Sequence, residues 1–459
     1  MTRRTALHCA RMAGAIALAA ALFPSTAQAH PRLTRSEPTA GGRLVASAVA
    51  VLRLWFNERP ELRLTSVTLS DSSGRAIRVG SVESEPNDPL GVRVQVLSAL
   101  GPGSYTVSWR TAASDGHPVR GSFSFVVLPD TARASAVHDT SHAMADSMVA
   151  HREGRTVTGA MYTTVRALTF VAILIVIGMV TFRFGVLGRA RSSASLDSVI
   201  QRRIAIVGTF TAAALIALAI GRLVLQIQVF SAGLAAGTPS LSLVDVLGTR
   251  WGSAWLVQVG AAFVALCGFV IAPRVRFGWS VAALAALALA FTSALAGHAA
   301  ANSSARLVAI VSDAIHVAAA SGWMGGLLVL VAVAIPTAVA ASADPERWTT
   351  VASLVNAFSP AALVFGALLV LTGAIAAWLH LGSIGALWSS TYGRTLLLKL
   401  GALVPLAATG AYNWRVVRPA LGTPTATARL RRSAAVELLV GLVVVAVTSV
   451  LVATEPPIQ

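Results

Sequence analysis

The first residue whose type suggests chemistry is His30, which becomes the N-terminal residue if a signal peptide is removed. Residues 1–29 have the layout of a secretory signal peptide: a basic start, an apolar run at 12–23 and small residues ending in Ala27-Gln28-Ala29. Cleavage after this motif makes His30 the first residue, and its amine and imidazole then form a nitrogen pair suited to Cu(II). Pro31 has no backbone N–H to deprotonate, which blocks amide-nitrogen coordination. An uncleaved anchor is the alternative, although the apolar run is short for a membrane span.

A second pair of donors lies close together near residue 116. Asp115 and His117 are two residues apart, so both side chains point the same way on extended backbone. Pro118 favours an extended conformation at His117. A carboxylate and an imidazole on one face suit a metal ion, and a plain turn is the alternative.

Residues 30–128 must form the element that positions these donors. Short runs that alternate apolar and polar residues recur there, bounded by Gly, Pro, Asn or Asp, and helical periodicity is absent. This pattern predicts an antiparallel all-β domain, a Greek-key or immunoglobulin-like sandwich or a small barrel of about 100 residues. The predicted strands are Leu52–Phe56, Val67–Leu69, Val92–Val96, Tyr105–Trp109 and Ser122–Val126.

Residues 129–158 are polar and are predicted to be a linker to the rest of the chain. Imidazole and thioether groups are both copper donors, so a relay of copper along this linker is one interpretation. A solvated linker with incidental donors is the alternative. The donors are His138, His142, Met144, Met148 and His151.

The remaining residues, 159–459, are predicted to lie in a membrane. Of the 459 residues 55% are hydrophobic and only 12% are charged, and the mean hydropathy is +0.71, which excludes a soluble cytoplasmic enzyme. Of the two cysteines, Cys9 lies in the signal peptide, so the mature chain has no internal disulfide. Eight apolar stretches are long enough to span: 160–187, 204–229, 252–272, 277–297, 307–335, 357–380, 394–414 and 434–453.

The distribution of arginine predicts the orientation. If the N-terminal domain is exported, the first span enters the cytoplasm. The loops after the first, third, fifth and seventh spans then lie inside, and the C-terminus lies outside. Those inner loops carry twelve arginines against three in the outer loops, which satisfies the positive-inside rule for a cytoplasmic membrane. The net charge of +17 is thereby explained without a nucleic-acid partner. The inner arginines are Arg189, Arg191, Arg202, Arg203, Arg274, Arg276, Arg347, Arg415, Arg418, Arg429, Arg431 and Arg432.

Ionisable residues at membrane depth are the default functional candidates. Asp313 and His316 lie three apart on the fifth span, where the alternative is a buried hydrogen-bonded pair that fixes helix register. His298 ends the fourth span and His380 ends the sixth, both at the outer side. Five other ionisable residues are interpreted as snorkelling from span ends: Arg166, Arg222, Asp245, Lys399 and Glu437.

Two stretches of sequence resemble known families. The run from Leu100 to Arg110 and the run from Ser114 to Phe125 are similar to the CopC family of periplasmic copper-binding proteins. Several later segments resemble the CopD family of copper-resistance membrane proteins, so the chain is identified as a CopC–CopD fusion. The CopD-like segments are Gly297-His298-Ala299, Ser312–Val317, Trp323–Leu327, Thr391–Lys399, Ala411–Arg415 and Val436-Glu437-Leu438.

The resemblance implies a copper-handling function. By carry-over from CopC, His30, Asp115 and His117 bind Cu(II), and the lack of Met between His30 and His142 implies a domain that binds only Cu(II). The CopD likeness implies copper transport, as import, or copper resistance, with periplasmic copper chaperones as partners. Its ligands are less settled, and we expect donors along a membrane path, with Cu(I) as the form a thioether prefers. These donors are His298, Asp313, His316 and Met324.

Two other classes of function stay open at this point. An N-terminal His with a second His also resembles the site of copper monooxygenases, although Asp115 would close the open position that such enzymes need. A copper sensor, or a redox protein that binds haem between membrane histidines, is the other alternative. No phosphate-binding GxxxxGK[ST] loop occurs, so ATP hydrolysis within this chain is not expected to drive transport.

Overall fold

The protein is described by a computed structural model covering residues 32–45, 49–112, 118–129, 157–231, 242–296, 306–342 and 346–452. The chain forms two compact units. One contains the β domain together with residues 226–253, and the other contains most of the helical region. Each unit is considered by itself below.

The β domain is a sandwich of two sheets, which confirms the predicted fold class. One sheet has the strand order β1-β3-β7-β6 and the other has the order β2-β9-β8-β4-β5. The pairs are antiparallel except for β2 with β9, which is parallel. The strands are β1 Leu33–Glu37, β2 Arg43–Val45, β3 Val51–Phe56, β4 Ser66–Asp71, β5 Ala76–Ile77, β6 Val79–Glu85, β7 Asp88–Val96, β8 Gly103–Ala112 and β9 Pro118–Leu128.

Alternation along the inner strands builds the core of this sandwich. In β3 every second residue, Leu52, Leu54 and Phe56, is fully buried, and the residues between them are half-buried. The same alternation in β9 buries Phe123 and Phe125. Apolar side chains from both sheets therefore meet in one layer and hold the two sheets together.

The helical unit contains eight helices, among the residues described, that are long and apolar enough to cross a membrane, as predicted. Several begin earlier than hydropathy indicates, because their first turns are polar and extend beyond the apolar stretch. The helices are α1 Ala160–Leu187, α2 Ala194–Gln228, α3 Arg250–Ile271, α4 Phe277–Leu295, α5 Arg306–Ala341, α6 Glu346–Leu381, α7 Thr391–Ala420 and α8 Pro424–Leu451.

Helix α5 is central in this unit, since it packs against α1, α4 and α6. Close approach to α1 depends on glycine: a Cβ added at Gly178 would lie 2.5 Å from backbone atoms of Gly325. The small residues expected to allow close helix contact therefore do so at this crossing. Two π-helical turns, Ser321–Gly325 and Leu330–Ala334, interrupt α5 beside it.

Candidate metal centres

The three predicted Cu(II) ligands, His30, Asp115 and His117, lie outside the described residues. Their neighbours in sequence are described, however. On the N-terminal side, the backbone N–H of Arg32 donates to Asn57 Oδ1 at 2.5 Å, and the N–H of Asn57 donates to the Arg32 carbonyl at 3.1 Å. Arg32 is therefore fastened to the residue that follows the end of β3.

On the other side, the segment with Asp115 and His117 joins β8 to β9, where Ala112 pairs with Pro118. Trp109 lies three residues before the end of β8. Its ring packs edge-on against the Phe56 ring, with 5.1 Å between the ring centroids. Phe56 ends β3 immediately before Asn57. The chain entering β1 and the connection between β8 and β9 therefore lie at the same end of the sandwich.

The sequence interpretation missed two groups at this end of the sandwich. Glu58 is only 7% exposed, an unusual position for a carboxylate. The Thr65 and Thr111 hydroxyls lie 2.7 Å apart. An acidic residue two positions after the end of an apolar strand is the one sequence signal that marks Glu58, and its burial depends on tertiary packing.

The linker donors His138, His142, Met144, Met148 and His151, and also His298, lie outside the described residues. In the part of the chain that is described, no group of three or more His, Cys, Asp or Glu side chains has an arrangement that holds a metal ion.

His316 is held by a neighbouring helix. Its Nδ1 lies 2.8 Å from the Thr372 hydroxyl on α6, and that hydroxyl donates to the Leu368 carbonyl at 2.7 Å. Because the hydroxyl proton is used on Leu368, the threonine oxygen acts as acceptor and Nδ1 carries the hydrogen. This assignment leaves Nε2 with its lone pair for a ligand.

Asp313 lies one turn before His316 on the same face of α5, as predicted. It is within electrostatic range of Lys399 and Tyr392 on α7, and Lys399 also acts on His316. The Tyr392 ring in turn stacks on the His380 ring at 6.1 Å. Polar groups from α5, α6 and α7 therefore form one polar cluster, consisting of Asp313, His316, Thr372, Lys399 and Tyr392.

Met324 belongs to a different place in the bundle. It lies in the π-helical turn Ser321–Gly325, and its Sδ would be 3.1 Å from a Cβ added at Gly441 on α8. Eight residues separate it from His316, about 12 Å along a helix. The structure therefore brings Asp313 and His316 together but sets Met324 apart from them.

The snorkelling interpretation of Glu437 is wrong. Glu437 is 4% exposed on α8, and its Oε1 accepts a hydrogen bond from Asn413 Nδ2 at 2.6 Å. The side-chain oxygen of Asn413, Oδ1, accepts in turn from the Ser433 hydroxyl at 2.5 Å. A carboxylate that finds such donors inside the bundle has no need to reach the membrane surface.

The snorkelling interpretation is also wrong for Arg166 and Arg222, which are 5% and 9% exposed. Both guanidinium groups lie 5.7 Å from the centre of the Tyr162 ring. Lys399 lies well inside helix Thr391–Tyr412 and not at its end. Asp245, by contrast, is on the short helix Leu243–Leu247 outside the spans, where it forms a capping box with Ser242.

Three family models match the chain. The CopC domain matches residues 33–128, the Copper resistance protein D-like, N-terminal domain matches 156–308, and Copper resistance protein D matches 352–451. Copper resistance protein C of Pseudomonas syringae pv. tomato is 33% identical over 113 residues, which cover 23% of this chain and 86% of that protein. The crystal structure of CopC from Methylosinus trichosporium OB3b is 27% identical and covers 22% of this chain and 96% of that one, with a TM-score of 0.21.

The chain therefore belongs to the copper-resistance family whose members carry CopC and CopD domains, here joined in one multi-pass membrane polypeptide. It is a homologue of the copper transport protein CutJ of Bacillus subtilis (strain 168). The two are 25% identical over 414 residues, which cover 86% of this chain and 70% of that protein. The predicted resemblance is confirmed, and the matched families are named for copper resistance and transport.

Proposed function

We propose that this protein captures Cu(II) outside the cytoplasmic membrane and passes it to its membrane helices for import. Residues 1–29 are the signal peptide in this scheme, 30–128 the copper-binding domain, 129–158 the linker and 159–459 the membrane domain. The N-terminal domain and the C-terminus face outward. The proposal places the capture site at His30, Asp115 and His117.

One observation carries the capture site. Arg32, fastened to Asn57, and Ala112, paired with Pro118, lie at the same end of the sandwich, which the contact between Phe56 and Trp109 holds together. The two sequence segments that supply the three ligands are therefore both short and both start from that end. An amine, two imidazoles and a carboxylate suit Cu(II).

Transfer through the membrane is proposed to use Asp313 and His316 as one position and Met324 as the next. A carboxylate and a neutral imidazole Nε2 on one helix face offer two donors to a passing copper ion. Lys399 lies within electrostatic range of Asp313. The linker residues His138, His142, Met144, Met148 and His151 are proposed to carry copper between the two domains.

Copper uptake into proteoliposomes tests the scheme. We expect His117→Ala and His316→Ala each to slow uptake at least tenfold. His380→Phe, which removes an imidazole that bonds its own helix but keeps a ring against Tyr392, should stay within twofold of wild type. Uptake at the wild-type rate in both site variants contradicts the proposal.

Cu(II) binding to the intact protein separates capture from transport. His117→Ala is expected to lose the Cu(II) signal in electron paramagnetic resonance, whereas His316→Ala retains it. N-terminal sequencing of the mature protein should begin at His30. A Soret absorption band, or rapid peroxide-dependent oxidation of a substrate, favours the haem or the enzyme alternative instead.

A further inference from the structure

A cavity of about 880 Å³ opens along α6 in the helical unit. Residues three or four apart on α6 form one wall, and the chain after α1 and the turn between α7 and α8 complete it. The α6 residues include Thr349, Ser353, Asn356, Ala361 and Val364. None of the proposed copper donors lines this cavity.

One end of the cavity is strongly basic. Arg189 and Arg191 line it, and the Arg191 backbone N–H donates to the Ser353 hydroxyl at 2.6 Å. Arg418 Nε donates to Asn356 Oδ1 at 2.9 Å. Over the residues that the structure describes, no carboxylate lies within 4 Å of these three guanidinium groups. Among the described residues, these arginines therefore carry positive charge at the mouth of the cavity without an ion-pair partner.

The other end of the cavity is apolar. Below Asn356 the wall consists of Ala357, Pro360, Ala361 and Val364, and Val364 is 58% exposed. From Ser353 to Val364 the wall runs about 16 Å along the helix. The α6 wall thus changes from hydroxyl and amide groups to hydrocarbon in the direction of the apolar part of the span.

An aromatic residue near the basic end indicates the level of the membrane surface. The Arg418 guanidinium lies 4.2 Å above the centre of the Trp414 ring, and Trp414 is 40% exposed. Exposed tryptophans on membrane helices prefer the level of lipid headgroups. Arg418, which bonds Asn356 in the cavity wall, therefore stands at the depth where lipid phosphates lie.

We propose that this cavity is a binding site for an anionic phospholipid. The phosphodiester is held by Arg189 and Arg191, supported by Ser353, and one acyl chain lies along Ala357, Ala361 and Val364. Basic pockets between membrane helices favour anionic headgroups. The positive-inside rule explains why arginines occur on this side but not why two of them line a cavity with an apolar end.

The full-length protein in detergent, titrated with phosphatidylglycerol or phosphatidylcholine and followed by native mass spectrometry, tests the site. Wild type is expected to bind phosphatidylglycerol at least tenfold more tightly than phosphatidylcholine. R189Q/R191Q should reduce phosphatidylglycerol affinity about tenfold. R429Q/R431Q removes the same charge from exposed positions outside the cavity and should change it less than twofold.

A second variant tests the acyl groove without changing charge. Ala361→Phe fills the apolar end and is expected to lower phosphatidylglycerol affinity about tenfold, whereas Ala361→Ser should leave it near wild type. Soluble glycerol phosphate at equal concentration should not compete. Equal loss in R429Q/R431Q, wild-type binding by Ala361→Phe, or full competition by glycerol phosphate each overturns the proposal. Thermal unfolding of each variant in detergent, with a midpoint close to that of wild type, confirms that the helical unit folds.

Discussion

His316 and Thr372 form a hydrogen bond between two membrane helices, with 2.8 Å from Nδ1 to the hydroxyl oxygen. The hydroxyl also bonds the Leu368 carbonyl at 2.7 Å, so its single proton is already used. Thr372 therefore fixes the orientation of the imidazole and directs Nε2 away from α6. Partners of this kind set the ring nitrogen that a metal ion meets.

Replacing Thr372 by Val removes the acceptor but keeps the shape. We expect copper uptake by Thr372→Val to fall about tenfold, within the range seen when a partner of a ligating histidine is lost. Thr409→Val, whose hydroxyl bonds only its own helix backbone, is the matched control and should keep the wild-type rate. Equal rates for the two variants would show that the bond to His316 has no part in transport.

Lys399 is the only lysine of the chain and lies near both Asp313 and His316. Protonated Lys399 opposes the arrival of a copper ion at these donors through its positive charge. In a His117→Ala background, which removes the outer site, Lys399→Met is expected to bind copper about tenfold more tightly, a change of about 1.4 kcal/mol. Lys399→Arg should behave as wild type. Chelator competition measures both, and weaker binding by Lys399→Met contradicts this role.

The Glu437, Asn413 and Ser433 side chains form a buried chain of hydrogen bonds. Asn413→Leu removes the central member and leaves the buried Glu437 carboxylate without this donor, which costs about 1–3 kcal/mol. The Ser433 hydroxyl keeps its bond to the Leu430 carbonyl. Thermal unfolding in detergent should show a clearly lower midpoint. Glu437→Gln keeps one acceptor for Asn413, so its unfolding midpoint is expected to fall much less. A Glu437→Gln midpoint as low as that of Asn413→Leu would mean that charge, not hydrogen bonding, stabilises this cluster.

The crossing of α1 and α5 at Gly178 has no space for a side chain. A Cβ at Gly178 meets the Gly325 backbone at 2.5 Å, which no rotamer change relieves. Gly178→Ala should therefore destabilise the helical unit by about 1–3 kcal/mol, seen as a lower unfolding midpoint. Gly221→Ala on α2, where no atom lies within 4 Å, should be neutral or slightly stabilising.

The turn after β4 should respond to acid. A hydrogen bond from the Ser73 hydroxyl, aided by backbone bonds from Arg75 and Ser73, lowers the pKa of Asp71. Because the folded pKa lies below the unfolded value of about 3.9, the stabilisation is present above that value and is lost as the pH falls through the folded pKa. Hydrogen exchange of residues 71–75 in the intact protein, corrected for intrinsic rate, should accelerate below about pH 4. Ser73→Ala should shift this acceleration to higher pH.

Sequence patterns predicted the interior of the sandwich better than its edges. The five predicted strands, β3, β4, β7, β8 and β9, are the strands with a neighbour on both sides. The four that were missed are the edge strands, with sequences such as LTRSE in β1. An edge strand buries little of its surface, so it needs no regular alternation and gives no periodic signal.

The membrane helices were equally visible because length and hydropathy are local properties. The residues that contact one another across these helices could not be predicted from the sequence. Spacing alone placed Asp313 and His316 on one face, but Thr372 and Lys399 come from helices 56 and 83 residues further along the chain than His316. Burial of Glu437 likewise depends on Asn413, which one sequence gives no means of pairing with it.

Strand β9 begins beside the β8–β9 connection and ends at Leu128, where the chain departs toward the helices. Eleven residues of strand measure about 36 Å, so the proposed copper ligands and the point of attachment occupy opposite poles of the domain. The proposed ligands and the linker therefore meet the domain at opposite ends of one strand, so a substitution at either end leaves the other end of the strand unchanged.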